Sequence, residues 1–338
     1  MKELVMIYPE FPKRGDMIGI CAPSAGVGHK IESFELSLEA LRERGYEITE
    51  TASVRVDGAR SASAEVRATE FHSLLQDSGA KAIIAATGGD YNMEILPYIN
   101  EELIVKNPKW VCGYSDPTNI LYYMTTKLDI ATIYGFNAGT FDWRPLHSSQ
   151  TNALDILGGN LLDQPSFPLW DSTKDWDNVN LDTPVSWDLY LPGEDGPSRN
   201  PQDCSGRLIG GCTDIISKLI GTPYDGTSDF ISRYSEDGFI WFFDTFDMSP
   251  EVLHMTMMQM KYAGYFKNTK AIIFGRIMFP GEASDSDYID LLKISLSDIP
   301  FIWGADIGHT KPFMTIINGA IGTLHTEGGR STLQMALK

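Results

Sequence analysis

A serine at position 115 stands where an apolar stretch, Lys109-Trp-Val-Cys-Gly-Tyr114, gives way to Asp116-Pro-Thr-Asn119 and a run of apolar residues reaching Thr126. The pattern reads as a short strand ending in Gly113-Tyr114-Ser115, followed at once by a helix that opens with Asp116 and Pro117. Such a turn lifts the serine hydroxyl out of the sheet and sets it beside backbone N–H groups ready for a developing oxyanion. That is the geometry of a nucleophile elbow, and its chemistry is acyl transfer through a serine ester. The local motif is Gly-Tyr-Ser-Asp-Pro and not Gly-x-Ser-x-Gly. A helix capped by Asp116, with Pro117 in its first turn and Ser115 as a buried hydroxyl, produces the same pattern.

A nucleophilic serine needs a base, and six histidines are available: His29, His72, His147, His254, His309 and His325. His309 stands out because it follows a strand and a glycine, on a loop from which an imidazole can be aimed. His72 and His254 fall within helical patterns. Asp244 closes the most hydrophobic strand of the second half, Phe239-Ile-Trp-Phe-Phe243, where a carboxylate is desolvated unless something such as an imidazolium pairs with it. The same residue is also what a strand end capping its next turn would show. Ser115, Asp244 and His309 thus stand in the order nucleophile, acid, histidine. No His-Glu-x-x-His, calcium loop or Walker motif competes, and neither a metal nor a cofactor is expected.

The elements that must position these residues follow from the periodicity. Met17–Pro23 is a buried-strand pattern, Ser24-Ala-Gly-Val-Gly28 a small-residue turn, and Ile31 to Arg44 a helix. Gly26 and Gly28 lack the third glycine of a dinucleotide fingerprint. A helix over Ala64 to Gln76 precedes the strand Ala82–Thr87, which runs into Gly88-Gly89-Asp90. Two glycines there permit close backbone approach to a ligand, or simply a turn needing positive φ. A strand over Ala131–Phe136 follows the Ser115 helix. Strands alternating with helices imply a mostly parallel sheet with ligands at the carboxyl ends of its strands, where Gly88, Gly89 and Ser115 fall.

After a helix over Ser148 to Leu157 the pattern dissolves from Asp163 to Asp203 into a linker with some strand content. Trp170, Trp176 and Trp187 in it serve as packing anchors or as part of a substrate wall. A second α/β unit opens at Gly206–Cys212 and the helix Thr213 to Leu219. It continues through Phe239–Phe243, a Met-rich helix from Pro250, strands at Ala271–Arg276 and Phe301–Ala305, and the turn carrying His309. Thr315 to Met335 has the alternation of a small β-meander. The expected fold is therefore α/β, with an N-terminal mostly parallel sheet flanked by helices over 1–155 and a linker over 156–205. A smaller C-terminal α/β domain with a terminal meander would cover 206–338.

With 338 residues, Lys plus Arg at 27 and Asp plus Glu at 45, the formal charge is −18. Nucleic acid or an acidic membrane surface would be repelled at long range, which leaves a small molecule as the expected partner. The N-terminal apolar run is too short for a signal peptide and no segment approaches the roughly 20 apolar residues of a spanning helix, so a cytoplasmic location is expected. Cys21, Cys112, Cys204 and Cys212 show no Cys-x-x-Cys spacing and read as reduced thiols.

Along nearly its whole length the chain resembles the LD-carboxypeptidase family of serine peptidases, which includes the microcin C self-immunity hydrolases. The resemblance is carried by Gly15–Ser24, Ala82–Asp90, Gly113-Tyr-Ser-Asp-Pro-Thr118, Gly206–Pro223, Phe242-Phe-Asp244 and Gly308-His309. It implies Ser115 as nucleophile, His309 as general base and Asp244 as the residue orienting it. It also implies an oxyanion hole from the backbone N–H groups of Asp116 and the Gly88-Gly89 turn. The implied substrate is a murein tetrapeptide, cut before its terminal D-alanine in cytosolic cell-wall recycling by a homodimer. The alternatives are a microcin-type hydrolase acting on an adenylate-linked amide, for which Trp187 could stack on the base, or a non-catalytic murein-peptide binder. The family usually carries Glu at the acid position. Asp244 is one methylene shorter, so its pairing with His309 calls for a backbone shift of about 1 Å, with Asp247 as the fallback acid. Thr87 precedes Gly88 where relatives often have Arg, and Arg207, Arg233 and Arg276 are the candidate receptors for a substrate carboxylate.

Overall fold

The computed structural model describes residues 5–175 and 178–338, so Trp176 lies outside the described residues. The chain forms two compact units, 1–162 with 315–319 and 163–314 with 320–338. The stretch expected to link two domains, 156–205, therefore divides at Leu162, and its larger part belongs to the second unit.

The strands of the first unit are β1 (Met17–Cys21), β2 (Glu47–Glu50), β3 (Ala80–Ala85), β4 (Trp110–Gly113) and β5 (Thr132–Tyr134). The second unit contributes β6 (Gln164–Pro165), β7 (Leu169–Trp170), β8 (Thr183–Pro184), β9 (Asp188–Tyr190), β10 (Gln202–Cys212), β11 (Phe239–Asp244), β12 (Thr269–Gly275) and β13 (Phe301–Ala305). The chain then returns to the first unit for β14 (Ile316–Asn318) and ends in the second with β15 (Ile321–Glu327) and β16 (Arg330–Ala336).

In the first unit the sheet order is β14-β5-β4-β3-β1-β2. β1 to β5 pair in parallel and β14 closes the edge antiparallel to β5. Ile18, Ile20, Ile83, Ile84 and Cys112 are fully or almost fully buried, the continuous apolar run of strands covered on both faces. The helix Thr118–Leu128 behind Ser115 is buried from Thr118 to Thr126. A helix buried on all its faces is a rigid backing for the turn that precedes it.

The second sheet runs β6-β16-β15-β10-β11-β12-β13-β9. Its parallel centre, β10 to β13, carries Asp244 at the end of β11 and His309 on the loop after β13. The terminal hairpin β15–β16 joins this sheet through β10, so the meander expected from the sequence is present, while β14 ahead of it belongs to the other unit. Ser249 caps the helix Pro250–Tyr262 through Val252 N, with Pro250 in its first turn, where a missing N–H costs nothing. In that helix Met257 and Met260 are core, whereas Met255 is 63% exposed.

The Asp163–Asp203 stretch is tied down by Asp306, which sits just after β13. Its Oδ2 accepts from Phe167 N at 2.9 Å and from Trp187 Nε1 at 3.0 Å, and its Oδ1 accepts from Arg276 Nη2 at 2.7 Å. Trp187 has no exposed surface, and Trp170 lies under the Arg276 guanidinium at 4.7 Å, so packing is what these tryptophans do. Burial pushes Asp306 up and Arg276 down, and their mutual attraction opposes both shifts. Removing one member leaves a buried charge uncompensated. Asp306→Ala is expected to cost about 3–5 kcal/mol, read as a lowered urea midpoint; an unchanged midpoint would show that the pair holds nothing together.

Candidate functional site

In the first unit, Ser115 takes a left-handed backbone with φ 66°. For a non-glycine residue that conformation costs about 1–2 kcal/mol, and it is what turns the chain sharply from β4 into the helix. The carbonyl of Ser115 closes the turn, accepting from Thr118 N at 2.9 Å and Thr118 Oγ1 at 2.6 Å. Regular helix therefore begins at Thr118 and not at Asp116. Asn137 braces the turn from the side, with Oδ1 accepting from Tyr114 N at 3.2 Å and Nδ2 donating to Tyr114 O at 3.4 Å.

Gly88 faces the serine, and a Cβ built on it would stand 3.2 Å from both Cβ and Oγ of Ser115. Gly89 has φ 144°, and a Cβ there would overlap Ser24 Oγ. The amides of Gly88, Gly89 and Asp116 donate to no group among the described residues. The Asp116 side chain does not cap the helix as the sequence allowed. It is buried, with Oδ2 accepting from Ser24 Oγ and from Asn92 N at 2.7 Å, and Oδ1 from Asn119 Nδ2 at 2.9 Å. Burial raises its pKa, and these donors pull the other way.

In the second unit, Asp244 is fully buried and His309 is 4% exposed. His309 Nδ1 lies 2.9 Å from each carboxylate oxygen of Asp244, and His309 N donates to Oδ1 at 3.2 Å. The histidine loop comes close to this short side chain. Gly308 has φ 96° and packs so tightly that a Cβ on it would overlap Asp244 Oδ1. With Nδ1–H directed at the carboxylate, the neutral tautomer keeps its basic lone pair on Nε2, as a general base must. Phe246 lies against the imidazole, ring centroids 4.7 Å apart. Asp214 holds that loop by accepting from Phe246 N at 2.9 Å. Asp247 is exposed, and its N–H donates to Asp214 at 3.4 Å, while the histidine pairs with Asp244.

Among the candidate cations, Arg276 is committed to Asp306 and Gly304 O, and Arg207 pairs with Asp237 at 2.6 Å. Arg233 is half-buried in the last turn of Thr227–Arg233. A cation not foreseen from the sequence is Lys30, whose Nζ donates to Thr87 Oγ1 at 3.0 Å, one residue from Gly88. Ser24, Asn92, Asn137, Asp214 and Phe246 were likewise not singled out. Their only signal was position, just after strands of the parallel part of one sheet or the other.

Comparison with known proteins puts these units in the class of carboxypeptidase-like hydrolases. The chain belongs to the LD-carboxypeptidase family: the family's N-terminal domain matches residues 18–135 and its C-terminal domain residues 205–324. A Vibrio cholerae protein named as a carboxypeptidase is 26% identical over 94% of this chain and 95% of its own. The Escherichia coli microcin C7 self-immunity protein MccF is 24% identical over 89% and 88%. Among solved structures, an MccF-like protein from Bacillus anthracis superposes with a TM-score of 0.80 at 23% identity, covering 98% of this chain and 100% of that one. A muramoyltetrapeptide carboxypeptidase from Oxalobacter formigenes gives 0.72 at 20% identity, over 95% and 98%. At these identities the structures establish a shared fold.

The Asp244–His309 pair is testable without a substrate. A carboxylate-bound imidazole N–H gives a strongly downfield proton resonance, which Asp244→Asn and Gly308→Ala should each abolish. Its persistence in Gly308→Ala would mean that close approach of the loop is not required for the pairing.

Proposed function

We propose that the chain is a serine-type LD-carboxypeptidase that hydrolyses the L,D-amide bond of a murein tetrapeptide, releasing D-alanine. The observation that carries the reading is Ser115, held in a strained left-handed turn against Gly88, with three amides, at Gly88, Gly89 and Asp116, that have no acceptor among the described residues. Strain of this kind persists where surrounding structure over-determines it, and preorganised amides of this kind stabilise an oxyanion by about 10²–10³-fold in rate per donor.

In this reading Ser115 Oγ attacks the carbonyl carbon next to the terminal D-residue. His309 takes the hydroxyl proton at Nε2 while Asp244 holds Nδ1–H and stabilises the imidazolium. Collapse of the tetrahedral intermediate breaks the C–N bond, and His309 returns the proton to the leaving amine. Water then adds to the acyl-enzyme with His309 again as base, and Ser115 is regenerated. Lys30 is the cation assigned to the substrate carboxylate, because its hydrogen-bond partner Thr87 leads into the Gly88-Gly89 turn. Two relatives support the substrate class by name, a murein peptide carboxypeptidase of Bacillus subtilis and the Oxalobacter enzyme. The nucleotide-linked alternative loses its stacking wall, since Trp187 is core and bonded to Asp306. The family resemblance supports a cytosolic homodimer working in cell-wall recycling.

The deciding assay is release of D-alanine from an LD-tetrapeptide. Ser115→Ala and Asp244→Asn are each expected to lower kcat by about 10³–10⁴-fold or more. Hydrolysis of an aminoacyl sulfamoyl adenosine with none of the tetrapeptide would sink the substrate assignment, and full activity in Ser115→Ala would sink the mechanism. Lys30→Met should raise KM for the tetrapeptide about tenfold or more with a smaller effect on kcat; a change confined to kcat would remove Lys30 from the carboxylate site.

A further inference from the structure

Three loops end adjacent parallel strands of the first sheet: Ala22–Ser24 after β1, Thr87–Asn92 after β3, and the Ser115 turn after β4. One carboxylate touches all three. Asp116 Oδ2 accepts from Ser24 Oγ in the first loop and from Asn92 N in the second at 2.7 Å, while its own backbone is part of the third. Ser24 relays the tie, because its Oγ also accepts from Tyr91 N at 3.1 Å. The neighbouring Ala25 N donates to Gly88 O at 3.3 Å, and Ser24 Oγ occupies the space a Gly89 side chain would need. Gly88 and Gly89 are thus clasped between Ser24 and Ser115. The clasp is backed by Arg67, whose Nη1 donates to Pro23 O at 2.7 Å and to Tyr91 O at 2.8 Å.

We infer that the Asp116 side chain, acting through Ser24 and Asn92, is a positioning residue that sets the Gly88-Gly89 amides at their distance from Ser115. The inference rests on the reading of Ser115 as nucleophile, and it gives the carboxylate a task separate from that of the Asp116 amide. The Ser24 hydroxyl has one proton, which goes to the carboxylate, so its lone pairs remain to accept from Tyr91 N. An amide in place of the carboxylate has one acceptor oxygen where the native group uses two. Asp116→Asn must therefore give up either the Asn119 bond or the tie to Ser24 and Asn92. An error of about 1 Å in the turn would then cost on the order of 10²-fold in rate.

The test is inactivation by a fluorophosphonate, whose phosphonyl oxygen takes the oxyanion position and which needs no assumption about the natural substrate. The native protein, Asp116→Asn and Ser24→Ala are compared, with kinact and KI resolved and melting temperature as the control for folding. Ser24→Ala leaves the carboxylate and its other donors in place, so it carries the test if Asp116→Asn does not fold. Expected is a fall in kinact of about 10–100-fold in both variants, with KI within about threefold of native. Native kinact in the folded variants, or an effect on KI alone, would overturn the inference and leave Ser115 as nucleophile. A native protein that is not inactivated at all would remove Ser115 from the chemistry, and the positioning role with it.

Discussion

A carboxylate withdrawn from water has to collect hydrogen-bond donors, and in this protein Asp116 and Asp244 collect theirs around the candidate chemistry while Asp306 collects its own from the Asp163–Asp203 stretch and Arg276. Asp116, Asp244 and Asp306 are all within 1% of full burial, each at or just after the carboxyl end of a parallel strand. Asp116 gathers the hydroxyl of Ser24, the amide of Asn92 and the side chain of Asn119. Asp244 gathers the imidazole and the backbone of His309. Asp306 gathers Arg276, Trp187 and Phe167. Loops are normally the most mobile parts of a domain. Here these loops help to solvate buried carboxylates, so their conformation is coupled to the stability of their units.

That coupling explains what could be read in the sequence and what could not. The Ser115 turn, the Gly88-Gly89 turn and the His309 loop were legible because each is local: an apolar strand, then small or polar residues, then the next element. Helices such as Ala64–Gln76 and Ser148–Leu157 were legible through their periodicity. Asp163–Asp203 was not, because its local pairing is slight, as in the two-residue strands β7 and β8. Its order comes from Phe167 and Trp187 reaching a carboxylate more than a hundred residues later in the chain. The placement of β14 in the first sheet is likewise a long-range fact, since Ile316–Asn318 pairs with β5 in a register its own three residues do not specify. Arg276 illustrates the opposite error. A cation at a strand end looks like a substrate receptor until its partner Asp306 is found.

Asp244 shows how a short carboxylate side chain is held against a histidine. A shorter carboxylate can reach its histidine only if the histidine's backbone comes to it, and backbone approaches a buried oxygen that closely only where there is no Cβ. Gly308 meets both demands, with positive φ and an empty side-chain position on the carboxylate. The result is a two-point attachment, through Nδ1 and the backbone amide, that constrains the imbalance of a lone side-chain contact by fixing both the ring and its Cα. Phe246 packs against the ring.

Charge sets the last constraint. A chain of net charge −18 attracts anions poorly, and a carboxylate-bearing peptide or a developing oxyanion must be stabilised against that background field. Backbone amides answer this locally. Their dipoles act over a few ångströms, are fixed before reaction, and add no titratable group whose state would shift with the surrounding carboxylates. On the proposed reading a cation is called for only at the ground-state carboxylate, and Lys30, beside Thr87, is the one assigned to it. Dividing the task in this way, fixed dipoles for the transient charge and one ammonium for the permanent one, would then let an acidic protein handle an anionic substrate. On that reading the geometry of the glycine turn, and not the number of cations near it, would govern the rate.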